Sequence, residues 1–414
     1  MLQPERLLML KKYIFLIFSV AAIAAFLGCH AGGEAPYVNR ESDFTPVIAE
    51  GLPKITVKGE TNLPGHFFIS FPFTKNLIMM DGKGNIIWSK HEPVPSTLAI
   101  SGLWDFKKHI IGGQTYYSYH DRKAEFDNFG LAGFGPGERV ILDSKFNEIK
   151  RITFEQSEAT EKGHPLDGHD FIMIDLNHYI LSGYIKKTVN NVPNIAQSSV
   201  VYSYLQEVQN GAVIWDWKSI DYPELYGLSV TDADTNANDF ENAFTDSPDY
   251  VHFNSMRIDD DGNLVCSFRH LNSIICLDRH NRTNQILWKL SGNGDEFHLA
   301  ENEKTSCQHY AVIDNDSISV FDNGNKLNKT YIRSYKLNTG NKTAQVKTLT
   351  IPGKFSSACG SAQRITGETY VIGWGKAEND AVCMSVYDFA TNKELMSLTL
   401  EMPQNFTYRC VYYE

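Results

Sequence analysis

Three stretches of this 414-residue chain share one pattern: GHDFIMIDLNHYILSGY (168–184), VHFNSMRIDDDGNLVCSFRH (251–270) and QHYAVIDNDSISVFDNGN (308–325). In each stretch a histidine precedes a short run of alternating apolar residues, a polar turn and a second apolar run. This order is typical of a β-hairpin. Because the same hairpin returns after about one blade length of chain, the pattern predicts a β-propeller.

The repeat extends over most of the chain. We count six units, which begin near His66, Thr97, Asp167, Val251, Gln308 and Gly360. Their apolar runs are short, rich in Ile, Val, Tyr and Phe, and free of long helical periodicity, which indicates an all-β protein. The tail Asn405–Tyr412 reads as one more strand, which would pair with the first or last blade and cover exposed sheet edges. We therefore predict a six-bladed β-propeller over residues 65–414, with a short N-terminal β extension within residues 29–64.

The composition excludes two classes of protein. The chain is 42% hydrophobic and 12% aromatic, which supplies the core that a disordered chain lacks. Its formal net charge is −11, and no basic run occurs beyond the first dozen residues. Binding to phosphate backbones requires concentrated positive charge, so no nucleic-acid partner is expected.

The N-terminus predicts export. Arg6, Lys11 and Lys12 precede the apolar segment Tyr13–Leu27, which is shorter than the ~20 residues that span a bilayer. The segment ends in FLGC, which resembles a relaxed bacterial lipobox with Cys29 as the lipidated thiol. We therefore expect a lipoprotein-type signal peptide over residues 1–28 and a lipid-anchored protein of the cell envelope, periplasmic or associated with the outer membrane. An uncleaved anchor and an ordinary signal peptide are the alternatives.

Six further cysteines leave two interpretations open. They lie at positions 266, 276, 307, 359, 383 and 410. Disulfides suit an exported chain, and buried free thiols are the alternative. The spacing C-x-x-C is absent from the sequence, so a structural zinc site is not expected.

The three repeated histidines, His169, His252 and His309, are expected to meet. Equivalent positions of a propeller face one central axis, so these side chains should converge at one mouth of the ring. The hairpin of residues 251–270 also returns its second strand to the same mouth, which brings Arg269 beside His252. Imidazole is a nucleophile and proton carrier near neutral pH, and guanidinium binds tetrahedral oxyanions. The set suits transfer of a phosphoryl or sulfuryl group.

Other functions fit parts of the same pattern. Three histidines could hold zinc with an open fourth position, but the charge of Arg269 would oppose a divalent metal, so neither a metal nor another cofactor is expected. A metal-dependent hydrolase or sulfatase is one alternative. A non-catalytic propeller that binds glycans or proteins is another. The segments 114–137 and 219–248 are expected to lie over the mouth as insertions.

The motifs HDF, DYVHFNS, SFRHLNSIICLDR and QHYAVIDNDSISVFDNGN together resemble the bacterial arylsulfate sulfotransferases, over roughly residues 81–375. The resemblance implies a six-bladed propeller that moves a sulfuryl group from an aryl sulfate donor to a phenolic acceptor, without nucleotide-activated sulfate. It implies that His309 is the nucleophile that forms a sulfohistidine. It also implies active-site roles for His169, His252 and Arg269, with either His169 or His252 as the proton carrier.

One departure from that family concerns the N-terminus. Better-known members carry a sizeable β-sandwich before the propeller, whereas only Tyr37–Pro64 is available here. Two or three strands are the most that this stretch can form.

Overall fold

The structure, a computed structural model, describes residues 46–92, 102–131, 133–232, 234–241, 247–378, 381–401 and 406–414. The predicted signal peptide and Cys29 lie outside these ranges. None of the helices in the described ranges has the length and apolar character needed to cross a membrane.

Six antiparallel sheets form the blades of the ring, which confirms the predicted all-β, six-bladed propeller. Blade 1 contains His66–Phe71, Asn76–Asp81, Ile86–His91 and Cys410–Tyr413. Blade 2 contains Gly102–Ile111, Gln114–Arg122, Gly137–Leu142 and Glu148–Ile152. Blade 3 contains Ile172–Asp175, His178–Val189, Ser198–Gln209 and Ala212–Lys218.

Blade 4 contains Phe253–Ile258, Leu264–Phe268, Ser273–Leu277 and Ile286–Leu290. Blade 5 contains His309–Asp314, Ser317–Asp322, Tyr331–Asn338 and Thr343–Leu349. Blade 6 contains Ser361–Thr366, Thr369–Gly373, Val382–Asp388, Lys393–Leu400 and Ile55–Gly59. Two short strands, Phe355–Ser356 and Ala377–Glu378, pair separately. Short 3-10 helices cover Pro72–Thr74, Ser219–Asp221, Pro223–Leu228, Arg269–Leu271 and Asn325–Leu327.

Both ends of the described chain close the ring. The last strand, Cys410–Tyr413, pairs antiparallel with His66–Phe71 and becomes the innermost strand of blade 1. The strand that starts at His66 is therefore second in its sheet. At the other end, Ile55–Gly59 pairs with Lys393–Leu400 as the outer strand of blade 6. Each pairing covers a sheet edge that would otherwise be open to other chains.

The blades pack face to face, and this packing buries the strands of neighbouring blades between them. Ser198–Gln209 is buried at every position except the last, because neighbouring blades cover both of its faces. Trp217 of blade 3 is fully buried, with its ring centroid 5.3 Å from that of Phe268 in blade 4. Aromatic contacts of this kind bury large apolar areas between blades, so side chains at the inner ends of the strands have fixed positions.

An ionic layer lies on the inner strands. Asp105 forms ion pairs with Arg139 and Arg409, both at 2.9 Å, and Lys107 lies 3.1 Å from the same carboxylate. Asp170 pairs with Lys107 and, at 2.9 Å, with Arg257. Burial alone would raise the pKa of both aspartates, but the surrounding cations outweigh it and hold each pKa below its ordinary value. The layer joins blades 2, 3 and 4 to the closing strand.

Candidate active site

A cavity of about 990 Å³ lies at the mouth where the inner strands of blades 3 to 6 begin. All four predicted residues, His169, His252, Arg269 and His309, line it. They come from blades 3, 4 and 5 and are separated by up to 140 positions in the sequence. The structure therefore brings together the whole set that the repeat pattern predicted.

Two loops lie over this cavity. Phe129 and Leu131 line it from the segment between the second and third strands of blade 2, and Asp234 and Pro248 line it from the segment that follows blade 3. The predicted insertion 114–137 was wrong in its first part. Gln114–Arg122 is a strand of blade 2, which pairs antiparallel with Gly102–Ile111 with one register shift.

The neighbours of His309 determine which ring nitrogen carries its proton. Nδ1 lies 2.7 Å from Oδ1 of Asn323 and 3.1 Å from the carbonyl oxygen of Cys307. The Asn323 amide cannot be reversed, because its nitrogen donates to the carbonyl oxygens of Ser356 and Cys359 at 2.8 and 3.0 Å. Both neighbours of Nδ1 are thus acceptors, so Nδ1 carries the hydrogen and Nε2 has the lone pair. Within the described part of the chain, Nε2 makes no hydrogen bond.

His309 is neutral at physiological pH. Burial lowers the pKa of its imidazole well below the ordinary value of 6.5, and the charge of Arg269 lowers it further. The two cysteines nearby do not compete as nucleophiles. Burial raises the pKa of Cys307 to about 11 and that of Cys359 to about 12, so both remain thiols.

Arg269 is a buried cation that has no acidic partner among the described residues. Its backbone N–H donates to the carbonyl oxygen of His252 at 2.8 Å, as expected for residues facing each other across one hairpin. Its guanidinium donates to Nε2 of His270 at 2.9 Å. Among the described residues, no carboxylate lies within ion-pair distance of Arg269. A guanidinium in this state offers its charge and remaining N–H groups to an anion in the cavity.

The other two histidines each have an aspartate on Nδ1. His169 contacts Oδ2 of Asp167 at 2.5 Å, and His252 contacts Oδ2 of Asp249. The two imidazoles lie close together, with ring centroids 5.0 Å apart and planes at 84°. Because each Nδ1 is held by its aspartate, Nε2 is the nitrogen left to exchange protons with a bound molecule.

The two aspartates differ in the direction in which their carboxyl pKa is shifted. Burial alone would raise the pKa of Asp167, but His169 outweighs it and holds that pKa below its ordinary value. Burial raises the pKa of Asp249 to about 6. Burial, together with His169 and Arg269, lowers the pKa of His252 well below 6.5. The Asp167 carboxylate therefore remains ionised over a wider pH range than that of Asp249.

The position of His252 depends on a close backbone contact. His252 has a left-handed backbone, with φ of 47°, which is uncommon for residues other than glycine. Its imidazole packs directly on Gly133, where an added Cβ would lie 2.4 Å from Cε1 of His252. No side chain fits at position 133 unless the imidazole moves. The loop that contains Gly133 and the imidazole of His252 thus hold each other in position.

One group in the described residues has the composition of a metal site. The ligand atoms of Asp249, His252 and His270 lie within 4.8 Å of one another. This group differs from the His169, His252 and His309 set considered from the sequence. The ligand atoms of this group already make hydrogen bonds. Asp249 contacts His252, and both ring nitrogens of His270 are hydrogen-bonded. A metal would have to displace these contacts beside the positive charge of Arg269.

The sequence reasoning did not assign the residues that orient the four predicted ones. They are Asp167, Asp249, His270 and Asn323. Asp167 and Asp249 lie two and three residues before a predicted histidine, and His270 follows Arg269 directly. Asn323 comes directly after the end of the second strand of its hairpin. A search for acceptor side chains flanking each histidine would have found the two aspartates.

Comparison with known proteins identifies the family. The family model described as Arylsulfotransferase (ASST) matches residues 124–379, which is more than half of the chain and includes all four candidate residues. No curated protein sequence matches the chain.

Similar solved structures include a protein of unknown function from Bacteroides caccae, at 10% identity, TM-score 0.45, and coverage of 84% of this chain and 99% of that one. Virginiamycin B lyase from Staphylococcus aureus gives 10% identity, TM-score 0.35 and the same coverage. A periplasmic gluconolactonase from Pseudomonas aeruginosa gives 9% identity, TM-score 0.35 and the same coverage. No conclusion about activity rests on likenesses this weak. Because the matched family model covers residues 124–379, which include all four candidate residues, the chain belongs to the arylsulfotransferase family.

Proposed function

We propose that this protein transfers a sulfuryl group from an aryl sulfate to a phenolic acceptor through a sulfated His309. One observation carries the proposal. A neutral histidine, with its lone pair on Nε2, lines the same cavity as a buried guanidinium that no carboxylate among the described residues neutralises. The first group supplies the nucleophile, and the second supplies positive charge for the sulfuryl oxygens.

In the first step, Nε2 of His309 forms a bond to sulfur while the bond from sulfur to the phenolic oxygen breaks. Arg269 donates hydrogen bonds to the sulfuryl oxygens as charge builds on them. The departing oxygen takes the Nε2 proton of a neighbouring imidazolium, which becomes a neutral imidazole. In the second step, that imidazole accepts the proton of the incoming phenol, whose oxygen attacks sulfur, and His309 leaves in its original neutral form.

We infer that His169 carries this proton. Its partner Asp167 remains ionised and stabilises the imidazolium that forms when His169 accepts a proton. His252 suits the task less well, because the nearby charge of Arg269 and the burial of the ring both oppose its protonation. His252 instead forms a wall of the cavity beside His169.

The apolar part of the cavity suits an aromatic ring. Trp104, Phe129 and Phe406 line it together with the four candidate residues. Trp104 also packs against Tyr408, with ring centroids 4.9 Å apart, which holds the indole in place. Aromatic side chains bind rings by offset or edge-to-face contacts. This lining favours an aryl group over a glycan.

Release of nitrophenol from 4-nitrophenyl sulfate tests the proposal. We expect release that depends on an added phenol and survives exhaustive treatment with EDTA, because the mechanism uses no metal. When donor and acceptor concentrations are varied, double-reciprocal plots should be parallel, as a covalent intermediate requires. Continued turnover without phenol, beyond the one equivalent released as the protein is sulfated, would indicate a sulfatase. Loss with EDTA that stoichiometric zinc reverses would indicate a metal-dependent enzyme, and no release at all would favour a binding module.

The role of His169 predicts a dependence on the leaving group. His169→Gln should slow transfer from phenyl sulfate, whose phenolate is a poor leaving group, by roughly 10²–10⁴-fold, the usual contribution of an acid catalyst. Transfer from 4-nitrophenyl sulfate should fall much less, because nitrophenolate departs without a proton. The measurement is single-turnover nitrophenol or phenol release for both donors. His252→Gln is the matched variant, and it should slow the two donors about equally. Equal losses in His169→Gln would remove His169 as the acid.

A further inference from the structure

The imidazole of His270 connects the guanidinium of Arg269 to the backbone. Its Nδ1 lies 2.5 Å from the carbonyl oxygen of Asp249, and its Nε2 lies 2.9 Å from a terminal nitrogen of Arg269. A carbonyl oxygen only accepts hydrogen bonds, so Nδ1 carries the hydrogen. The lone pair therefore sits on Nε2, where it accepts from the guanidinium, which only donates. The two contacts fix the tautomer of the ring and its orientation.

This acceptor carries no charge. Burial lowers the pKa of His270 to about 3, so the ring is neutral at physiological pH. A carboxylate in the same place would also hold the guanidinium, but it would neutralise its charge and occupy two of its N–H groups. An imidazole takes one hydrogen bond and leaves the charge and the other N–H groups of Arg269 for the cavity.

We propose that His270 is a positioning residue, an uncharged acceptor that aims Arg269 at the sulfuryl oxygens while leaving its positive charge to the substrate. This inference rests on the proposed function, since it acts through Arg269. The 3-10 helix Arg269–Leu271 makes the contact possible, because it ends the strand and turns two neighbouring side chains towards the same cavity. The carbonyl oxygen of His270 also accepts from the N–H of Val230, a contact that side-chain variants retain.

Two variants separate the contacts of the ring. In His270→Asn, the amide nitrogen can still donate to Asp249, but the shorter side chain does not reach Arg269. In His270→Gln, the amide oxygen can replace Nε2 as the acceptor for Arg269. We expect His270→Asn to lower kcat/KM for 4-nitrophenyl sulfate roughly 10–100-fold. This is the range that follows from removing the hydrogen-bond partners that orient metal-ligating side chains, which play a comparable positioning role. His270→Gln should recover a large part of that loss. A glutamine variant as slow as the asparagine variant would overturn the proposal.

A double-mutant cycle separates positioning from a general structural effect. Arg269→Lys alone should leave roughly 10⁻²–10⁻³ of the activity, which nitrophenol release can still measure. If His270 acts through Arg269, adding His270→Asn to Arg269→Lys should cost less than about twofold more, because the contact is already lost. The same loss in both backgrounds would overturn the proposal.

The same experiment distinguishes this inference from the proposed function. Thermal unfolding shows whether each variant is folded, and His270→Phe, which keeps the ring volume, replaces the asparagine variant if that one does not fold. If His309→Ala leaves transfer unchanged, the proposed function is wrong. If His309→Ala abolishes transfer while His270→Asn does not reduce it, only the role of His270 is wrong.

Discussion

Replacing His309 with alanine is expected to reduce sulfuryl transfer by at least ~10⁴-fold, to near the uncatalysed rate, because removing a nucleophile removes the covalent route. The nearby thiols of Cys307 and Cys359 do not replace it, because both remain protonated. The rate is measured as phenol-dependent nitrophenol release.

The same variant tests the intermediate. Wild-type protein mixed with donor alone should gain the mass of one sulfuryl group, which peptide mapping places on His309, and His309→Ala should gain none. The fold should persist with a modest loss of stability, since an unpaired Asn323 oxygen costs about 1–3 kcal/mol. His178 serves as the matched control, because it pairs with Glu207 on the side of blade 3 away from the cavity, and its alanine variant should keep wild-type activity. Sulfation at another residue would remove His309 as the nucleophile.

Arg269→Lys is expected to slow transfer roughly 10²–10³-fold, although the charge is kept, because one ammonium cannot reproduce the planar donors of a guanidinium. The loss should fall mainly on kcat, since the hydrogen bonds strengthen as charge develops on the sulfuryl oxygens. Lysine also loses the contact to His270, which fixes the direction of the side chain.

Arg282→Lys is the control for this substitution. Arg282 is exposed and donates to the carbonyl oxygen of Ile214, far from the four candidate residues in the blades, so its lysine variant should be fully active. A loss smaller than about fivefold in Arg269→Lys would place Arg269 outside the sulfuryl site. Steady-state kinetics on both variants decides the matter.

Much of this site could be predicted because it depends on the periodicity of the backbone. The alternation of apolar residues defines the inner strands, and a ring of repeats brings the first residue of each inner strand to one mouth. That reasoning places His169, His252 and His309 together. Hairpin pairing then places Arg269 opposite His252, as the 2.8 Å backbone hydrogen bond confirms.

The partners of these residues depend on side-chain packing, which has no period. Asn323 lies two residues beyond Phe321, the residue that pairs with His309, and its amide is fixed by the carbonyl oxygens of Ser356 and Cys359. His270 follows Arg269 directly, but an alternating strand would point it to the opposite face. The 3-10 helix at this position ends the alternation, and no single residue of SFRH predicts that helix. The loop contact of Gly133 with His252 is equally specific to the folded chain.

The closing strand has a consequence for how the protein is made. Tyr408 donates to the carbonyl oxygen of His169 at 2.5 Å, and Arg409 lies in the ionic layer, so the mouth of the ring depends on residues that follow blade 6 in the sequence. Ribosomes synthesise these residues after all four candidate residues of the cavity. A nascent chain therefore contains all four candidate residues before the contacts of Tyr408 and Arg409 can hold them together. We therefore expect a polypeptide truncated before Tyr408 to lose these contacts and to transfer no sulfuryl group.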